Sequence, residues 1–115
     1  MISDVLLEQL LAFRRDRDWQ QFHNLRTLST SIVVEAAELA EITQWVSDND
    51  VTAISIEKRE RIEEEVADVT ILLSYLIHDL GIDLEGAVRQ KLTKNAEKYP
   101  VARSKGSARK YDELS

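Results

Sequence analysis

Apolar residues recur at three- and four-residue intervals along most of the chain, and this pattern predicts four long helices. Over 3–17, Val5, Leu6, Leu10 and Leu11 form a stripe with Phe13 at its edge. Ser3 or Asp4 is placed to cap that helix, and Arg14, Arg15 and Arg17 suit its C-terminal dipole. Over 25–47, Leu25, Leu28, Ile32, Ala36, Leu39, Ile42 and Val46 face the core. Over 57–80, Ile62, Val66, Val69, Leu73, Leu76 and Leu80 make a coiled-coil-like seam, with Glu65 and Asp68 on its shoulder. Gly81 stops this helix, Asp83 caps a fourth running to about Lys98, and Pro100 closes it. His78 reads as a partner of a helix C-terminus.

Between these elements the pattern weakens. Ser47-Asp48-Asn49-Asp50 is a turn signal, and 51–56 is briefly strand-like but has no partner run, so it reads as a linker with a short helical turn. Residues 101–115 have no periodicity; they are basic from Arg103 to Lys110 and acidic afterwards. The expected organisation is an all-α, four-helix bundle-type domain over 1–100 and a basic tail over 101–115.

Composition narrows the classes. A chain of 115 residues makes one domain, and 43% hydrophobic with 31% charged residues is the balance of a globular protein. The absence of Cys excludes a disulfide scaffold and any thiolate nucleophile or metal site. A net charge of −6 argues against duplex nucleic acid as a partner. No apolar run is long enough to span a membrane, and Met1-Ile2-Ser3-Asp4 lacks the features of a signal peptide, so a cytoplasmic setting is expected.

Candidate chemistry lies in two acidic pairs. Glu35 with Glu38, and Glu65 with Asp68, each stand three residues apart and so share a helix face, where like charges repel. Both pairs are set inside apolar runs, an arrangement explained by a shared cation. Four carboxylates without Cys or a well-placed His are hard oxygen ligands that suit Mg²⁺, with Mn²⁺ as a substitute. A di-iron bundle needs Glu-x-x-His units, and neither His23 nor His78 has an acid three residues before it. The competing account is a pair of solvated acidic faces. The segment Asp18-Trp19-Gln20-Gln21-Phe22-His23 has two readings as well: a loop pinned by aromatics, or a pocket for a flat ring. Trp45 walls such a pocket or packs. Lys91, Asn95 and Lys98 form a polar stripe that by itself is a solvated face.

The motifs taken together resemble the all-α nucleotide pyrophosphohydrolases of the MazG superfamily, most closely the small dCTP-pyrophosphatase-like branch. The resemblance rests on Glu35-Ala-Ala-Glu38, a spacer of twenty-six residues, and Glu65-Val-Ala-Asp68. It extends to Arg17-Asp18-Trp19-Gln20-Gln21-Phe22-His23, Gln44-Trp45, Lys91-x-x-x-Asn95, Lys98-Tyr99-Pro100 and Arg109-Lys110-Tyr111, covering about 5–114. The linker over 48–56 is unlike the longer Gly/Pro-containing one of animal members, which bears on base choice and not on reaction type.

The resemblance implies hydrolysis of a nucleoside triphosphate, dCTP-like and dNTP-preferring, to the monophosphate and pyrophosphate. It implies Mg²⁺ on Glu35, Glu38, Glu65 and Asp68, with Glu35 or Glu38 orienting or deprotonating the attacking water. It implies a base and sugar pocket of Trp19, Phe22, His23 and Trp45, and phosphate contacts from Lys91, Asn95, Lys98 and Tyr99. Arg109, Lys110 and Tyr111 would close over the substrate as a lid. A homodimer, or a homotetramer built as a dimer of dimers, is implied, with a role in sanitising the nucleotide pool. The alternatives from other classes are a non-catalytic helical interaction module and a nucleotide sensor without turnover.

Overall fold

The computed structural model describes residues 1–113, and every regular element among them is helical. Leu114 and Ser115, the end of the expected tail, lie outside the described residues. The chain forms two compact units, one from Met1 to Leu80 and one from Gly81 onward. The first holds α1 (Asp4–Asp16), α2 (Leu25–Glu41), α3 (Val51–Glu57) and α4 (Arg59–Leu80). The second holds α5 (Leu84–Lys98) and α6 (Val101–Ser104).

Helix starts follow the capping residues. Ser3 accepts from the Leu6 N–H at 3.2 Å and opens α1. Asn24 and Thr27 form a reciprocal capping box on α2: Asn24 Oδ1 accepts from the Thr27 N–H at 3.0 Å, and Thr27 Oγ1 accepts from the Asn24 N–H at 2.9 Å. Asp83 caps α5 through the Gly86 N–H at 3.1 Å. Between α1 and α2, Asp18 takes a left-handed backbone (φ 53°), which Asp tolerates better than most residues. The chain doubles back there, and the Trp19 N–H reaches the Arg14 carbonyl at 3.0 Å.

In the first unit α2 and α4 pack along their lengths and run antiparallel: His23, just before α2, lies against Tyr75, whereas Glu35 and Glu38 further along meet Glu65. α1 runs parallel to α4, since Leu10 is bonded to Tyr75 and Arg14 to Asp79. Leu28, 1% exposed, is the innermost apolar side chain, and Tyr75 is the other fully buried one. α1, α3 and α4 leave between them an open apolar groove of about 660 Å³, lined by Leu6, Leu10, Ile62, Val66 and Ile71 among others.

Four expectations change. α2 ends at Glu41, not 47: Ile42, Thr43 and Val46 are β-branched and poor helix formers, and Thr43, Gln44 and Val46 close 3₁₀-type turns instead. Residues 51–57 are a two-turn helix rather than a linker with a single turn. On α4 the predicted seam holds at Ile62, Val69, Leu73 and Leu76, which are half-buried, but not at Val66 and Leu80, which are exposed, while Glu65 is buried. On α1, Leu7, Leu10 and Leu11 turn inward and Val5 and Leu6 do not.

Candidate metal centre

Facing turns of α2 and α4 bring Glu35, Glu38 and Glu65 together, with one carboxylate oxygen of each within 4.8 Å of the others. Two turns of α2 point both of its acids at α4 because they stand three residues apart. Glu65, buried on α4, completes the cluster from the other side. Glu35 Oε2 and Glu65 Oε2 are buried and accept no hydrogen bond from the described residues. A buried carboxylate oxygen without a donor is costly.

The electrostatics follow. Burial, then the neighbouring Glu38 carboxylate, and then Asp68 and Glu65 push the Glu35 carboxyl up to about 7. Glu65 is raised by its burial and by Glu38 and Asp68. Asp68 is exposed and stands outside the group of three, though its charge reaches both Glu35 and Glu65. Three convergent carboxylates with two orphaned oxygens are a donor set for a hard divalent cation, which would supply the positive charge that no ion pair among the described residues provides.

The aromatic residues predicted to line a pocket lie near the start of α2 and beyond its end. Trp19 is half-exposed and meets Phe13 edge-on at 5.7 Å between centroids, while Phe22 is exposed. His23 is half-buried and its Nδ1 lies 3.2 Å from Arg14 Nη1. Trp45 follows α2 in the turn, 90% exposed, with its ring free of the core. In the second unit Lys98 Nζ sits 4.9 Å above the Tyr111 ring, and Tyr99 meets the same ring edge-on at 6.3 Å. The tail therefore folds back onto the end of α5 and brings Lys98, Tyr99 and Tyr111 together. Lys91, Asn95, Arg109 and Lys110 are exposed.

Sequence reasoning missed one constellation. Arg14, read as a helix-end charge, is 6% exposed and donates to both oxygens of Asp79, at 2.8 and 2.7 Å. Its guanidinium lies 4.6 Å from the centre of the Tyr75 ring, and the Tyr75 hydroxyl donates to the Leu10 carbonyl at 2.9 Å. The available signal was periodicity: Arg14 follows Leu7 by seven residues and Leu10 by four, which puts it on the inner face of α1.

Comparison with known proteins supplies the family. The chain is 42% identical over 104 residues to the dCTP pyrophosphatase 1 of Rattus norvegicus and 40% identical over the same length to that of Homo sapiens; both matches take in 89% of this chain. It spans 61% of the length of each of these relatives. A crystal structure of a pyrophosphatase from Archaeoglobus fulgidus superposes with a TM-score of 0.80 at 39% identity, covering 84% of this chain and 91% of that one. The model of the MazG-like family matches residues 30–114, a stretch that contains all four acids of the two motifs. With most of its length matched, the chain belongs to the MazG-like family.

Proposed function

We propose that this chain is a nucleoside triphosphate pyrophosphohydrolase that prefers deoxynucleotides of the dCTP type and serves to sanitise the nucleotide pool. The observation that carries the reading is the cluster of Glu35, Glu38 and Glu65 with its two orphaned carboxylate oxygens. The likeness to proteins named dCTP pyrophosphatase supports the reaction and the substrate class.

Glu35, Glu38 and Glu65 would hold Mg²⁺, with Asp68 as the fourth acid and Mn²⁺ as a substitute. A divalent ion there supplies neutralisation of phosphate oxygens and a water of lowered pKa. Water adds to the α-phosphorus, the bond from that phosphorus to the bridging oxygen breaks, and pyrophosphate leaves. Glu35 or Glu38 orients the attacking water and takes its proton. Trp19, Phe22, His23 and Trp45 receive base and sugar, an assignment supported by the exposure of the Trp19, Phe22 and Trp45 rings. Lys91, Asn95, Lys98 and Tyr99 meet the phosphates, and Arg109, Lys110 and Tyr111 act as a lid. In this reading residues 1–100 are the catalytic domain and 101–115 the closing tail, a functional division distinct from the compact units that meet at Gly81.

We infer further that the working form is a homodimer or homotetramer. The contrast between two fully buried apolar side chains and the open Val33, Val34, Val66 and Leu6 supports self-association, because such faces gain by mutual burial. No helix among the described residues is long and apolar enough to cross a membrane, consistent with a cytoplasmic role. Light scattering after size exclusion tests the assembly. Pyrophosphate release across the dNTPs and NTPs, with and without Mg²⁺, tests the activity. A metal-dependent signal strongest with a deoxycytidine nucleotide is expected. Silence with every nucleotide would leave a helical interaction module, and tight calorimetric binding without product would leave a sensor.

A further inference from the structure

We propose that Arg14 and Asp79 are positioning residues for His23: they fix its Nδ1 as an acceptor, so that the ring carries its hydrogen on Nε2 and offers that N–H to an acceptor atom on the base or sugar of the nucleotide. The proposal rests on the reading of His23 as a pocket residue, and its first measurement is independent of that reading.

Arginine has five N–H donors and no acceptor, so a ring nitrogen in contact with it must be the bare one. Arg14 Nη1 lies 3.2 Å from His23 Nδ1 while the same nitrogen donates to Asp79 Oδ2 and Nη2 donates to Asp79 Oδ1. The two parallel bonds to one carboxylate set the plane of the guanidinium and therefore the direction of its remaining Nη1 hydrogen. The Tyr75 ring lies against the guanidinium and the tilted His23 ring lies 5.3 Å from the same tyrosine. Tyr75 is itself buried and tied to the Leu10 carbonyl, and the backbone N–H of His23 is tied to the Gln20 carbonyl at 3.1 Å. Each component is thus held from a second direction.

The charge of Arg14 is already balanced by Asp79, so the histidine contact is not needed to neutralise it. What the contact does is choose a tautomer. A second proton on Nδ1 would face a cation, and burial together with Arg14 lowers the pKa of His23. The ring stays neutral with one hydrogen, and that hydrogen is on Nε2, which has no hydrogen-bond partner among the described residues. A neutral histidine of fixed tautomer distinguishes a ligand atom that accepts from one that donates, which a freely titrating ring cannot do.

The test is ¹⁵N NMR of the histidine rings in the nucleotide-free protein. The chain has two histidines, so His78→Gln assigns the spectrum. Wild type is expected to show one His23 form, with Nδ1 bare and Nε2 protonated, and Arg14→Met to show mixed tautomers. In steady-state assays Arg14→Met should raise KM roughly three- to tenfold, the worth of one misdirected hydrogen bond, with kcat changed less. Loss of a merely structural pair would move stability without this spectroscopic change. Should Arg14→Met fail to fold, Asp79→Asn removes the clamp, and the wild-type spectrum alone remains decisive. A wild-type ring protonated on Nδ1, or an unchanged tautomer in a folded Arg14 or Asp79 variant, overturns the positioning role. If the tautomer shifts as expected but His23→Gln leaves KM unaltered, the ring is positioned without meeting substrate, and the donor role is overturned by a result distinct from the first.

Discussion

Two clusters of charge lie on the same helix and have been resolved in opposite ways. Toward one end of α4, Arg14 and Asp79 meet in a two-bond pair over Tyr75, and each charge is answered within the chain. Toward the other, Glu65 meets Glu35 and Glu38, and none of the three has an ion-pair partner among the described residues. Both arrangements carry buried polar groups, so burial alone does not mark a functional site. The mark is incompleteness: one cluster has partners for its oxygens and the other leaves two without. Their pH responses also have opposite signs. Asp79 is held below the usual carboxylate range by its bonds to Arg14, so its stabilisation is present above the unfolded pKa of 3.8 and is lost as pH falls through its lower folded value. Glu35 is raised from 4.5 to about 7, so its contribution is full below 4.5 and is lost as pH rises through 7.

The largest break in this contrast should come from the incomplete cluster. Glu38→Gln keeps the shape of the side chain and removes a charge, so far-UV circular dichroism should be unchanged while turnover falls on the order of 10³-fold, about 4 kcal/mol of barrier. Near-wild-type rates in this variant would remove Glu38 from the proposed ligand set. Asp68→Asn should be milder, since Asp68 stands outside the group of three.

The complete cluster should respond in stability instead. Arg14→Met leaves a partly buried Asp79 without its cation and should lower the unfolding free energy by about 3 kcal/mol in urea titrations. A double variant that also replaces Asp79 by Leu should recover part of that loss, because no lone charge then remains.

Titration of stability separates the two further. In metal-free buffer the advantage of Glu35→Gln over wild type should grow between pH 5 and 8, since only the wild type must ionise Glu35 there. Comparing the variant with wild type cancels the opposite slope from His23, whose pKa is lowered. Millimolar Mg²⁺ should raise the wild-type Tm and leave the Glu35→Gln midpoint nearly where it was. A gap that stays constant with pH would mean that the Glu35 proton is not linked to folding. The smallest effect belongs to the exposed i,i+4 pairs: Arg59→Ala and Arg89→Ala, which break contacts to Glu63 and Glu85, should each change stability by less than about 0.5 kcal/mol.

How far the sequence announced these two clusters differs as sharply as their chemistry. Glu35, Glu38 and Glu65 were legible because acids three apart inside an apolar run conflict with their surroundings, and that conflict is local. Arg14 with Asp79 was not, because the partners are sixty-five positions apart and each has an innocent local explanation at a helix end. The four long helices could be read from period and caps, and Ser3, Asp83 and Gly81 act as expected. The end of α2 could not, since the apolar spacing through Ile42 and Val46 continues after the helical hydrogen bonds have given way to tighter turns. The burial of Glu65 was hidden for a related reason. Hydropathy ranks Val66 above Glu65 as a core residue, and nothing local in the sequence reverses that order.

Gly81 separates two quantities that are usually confounded. Its backbone is left-handed (φ 62°), yet a methyl group built there would touch nothing within 4 Å. At Gly86, by contrast, the same methyl would strike the Asp83 carboxylate and expel the cap. Replacing Gly81 with alanine therefore weighs chirality by itself, at about 1–2 kcal/mol, with no crowding added to the balance.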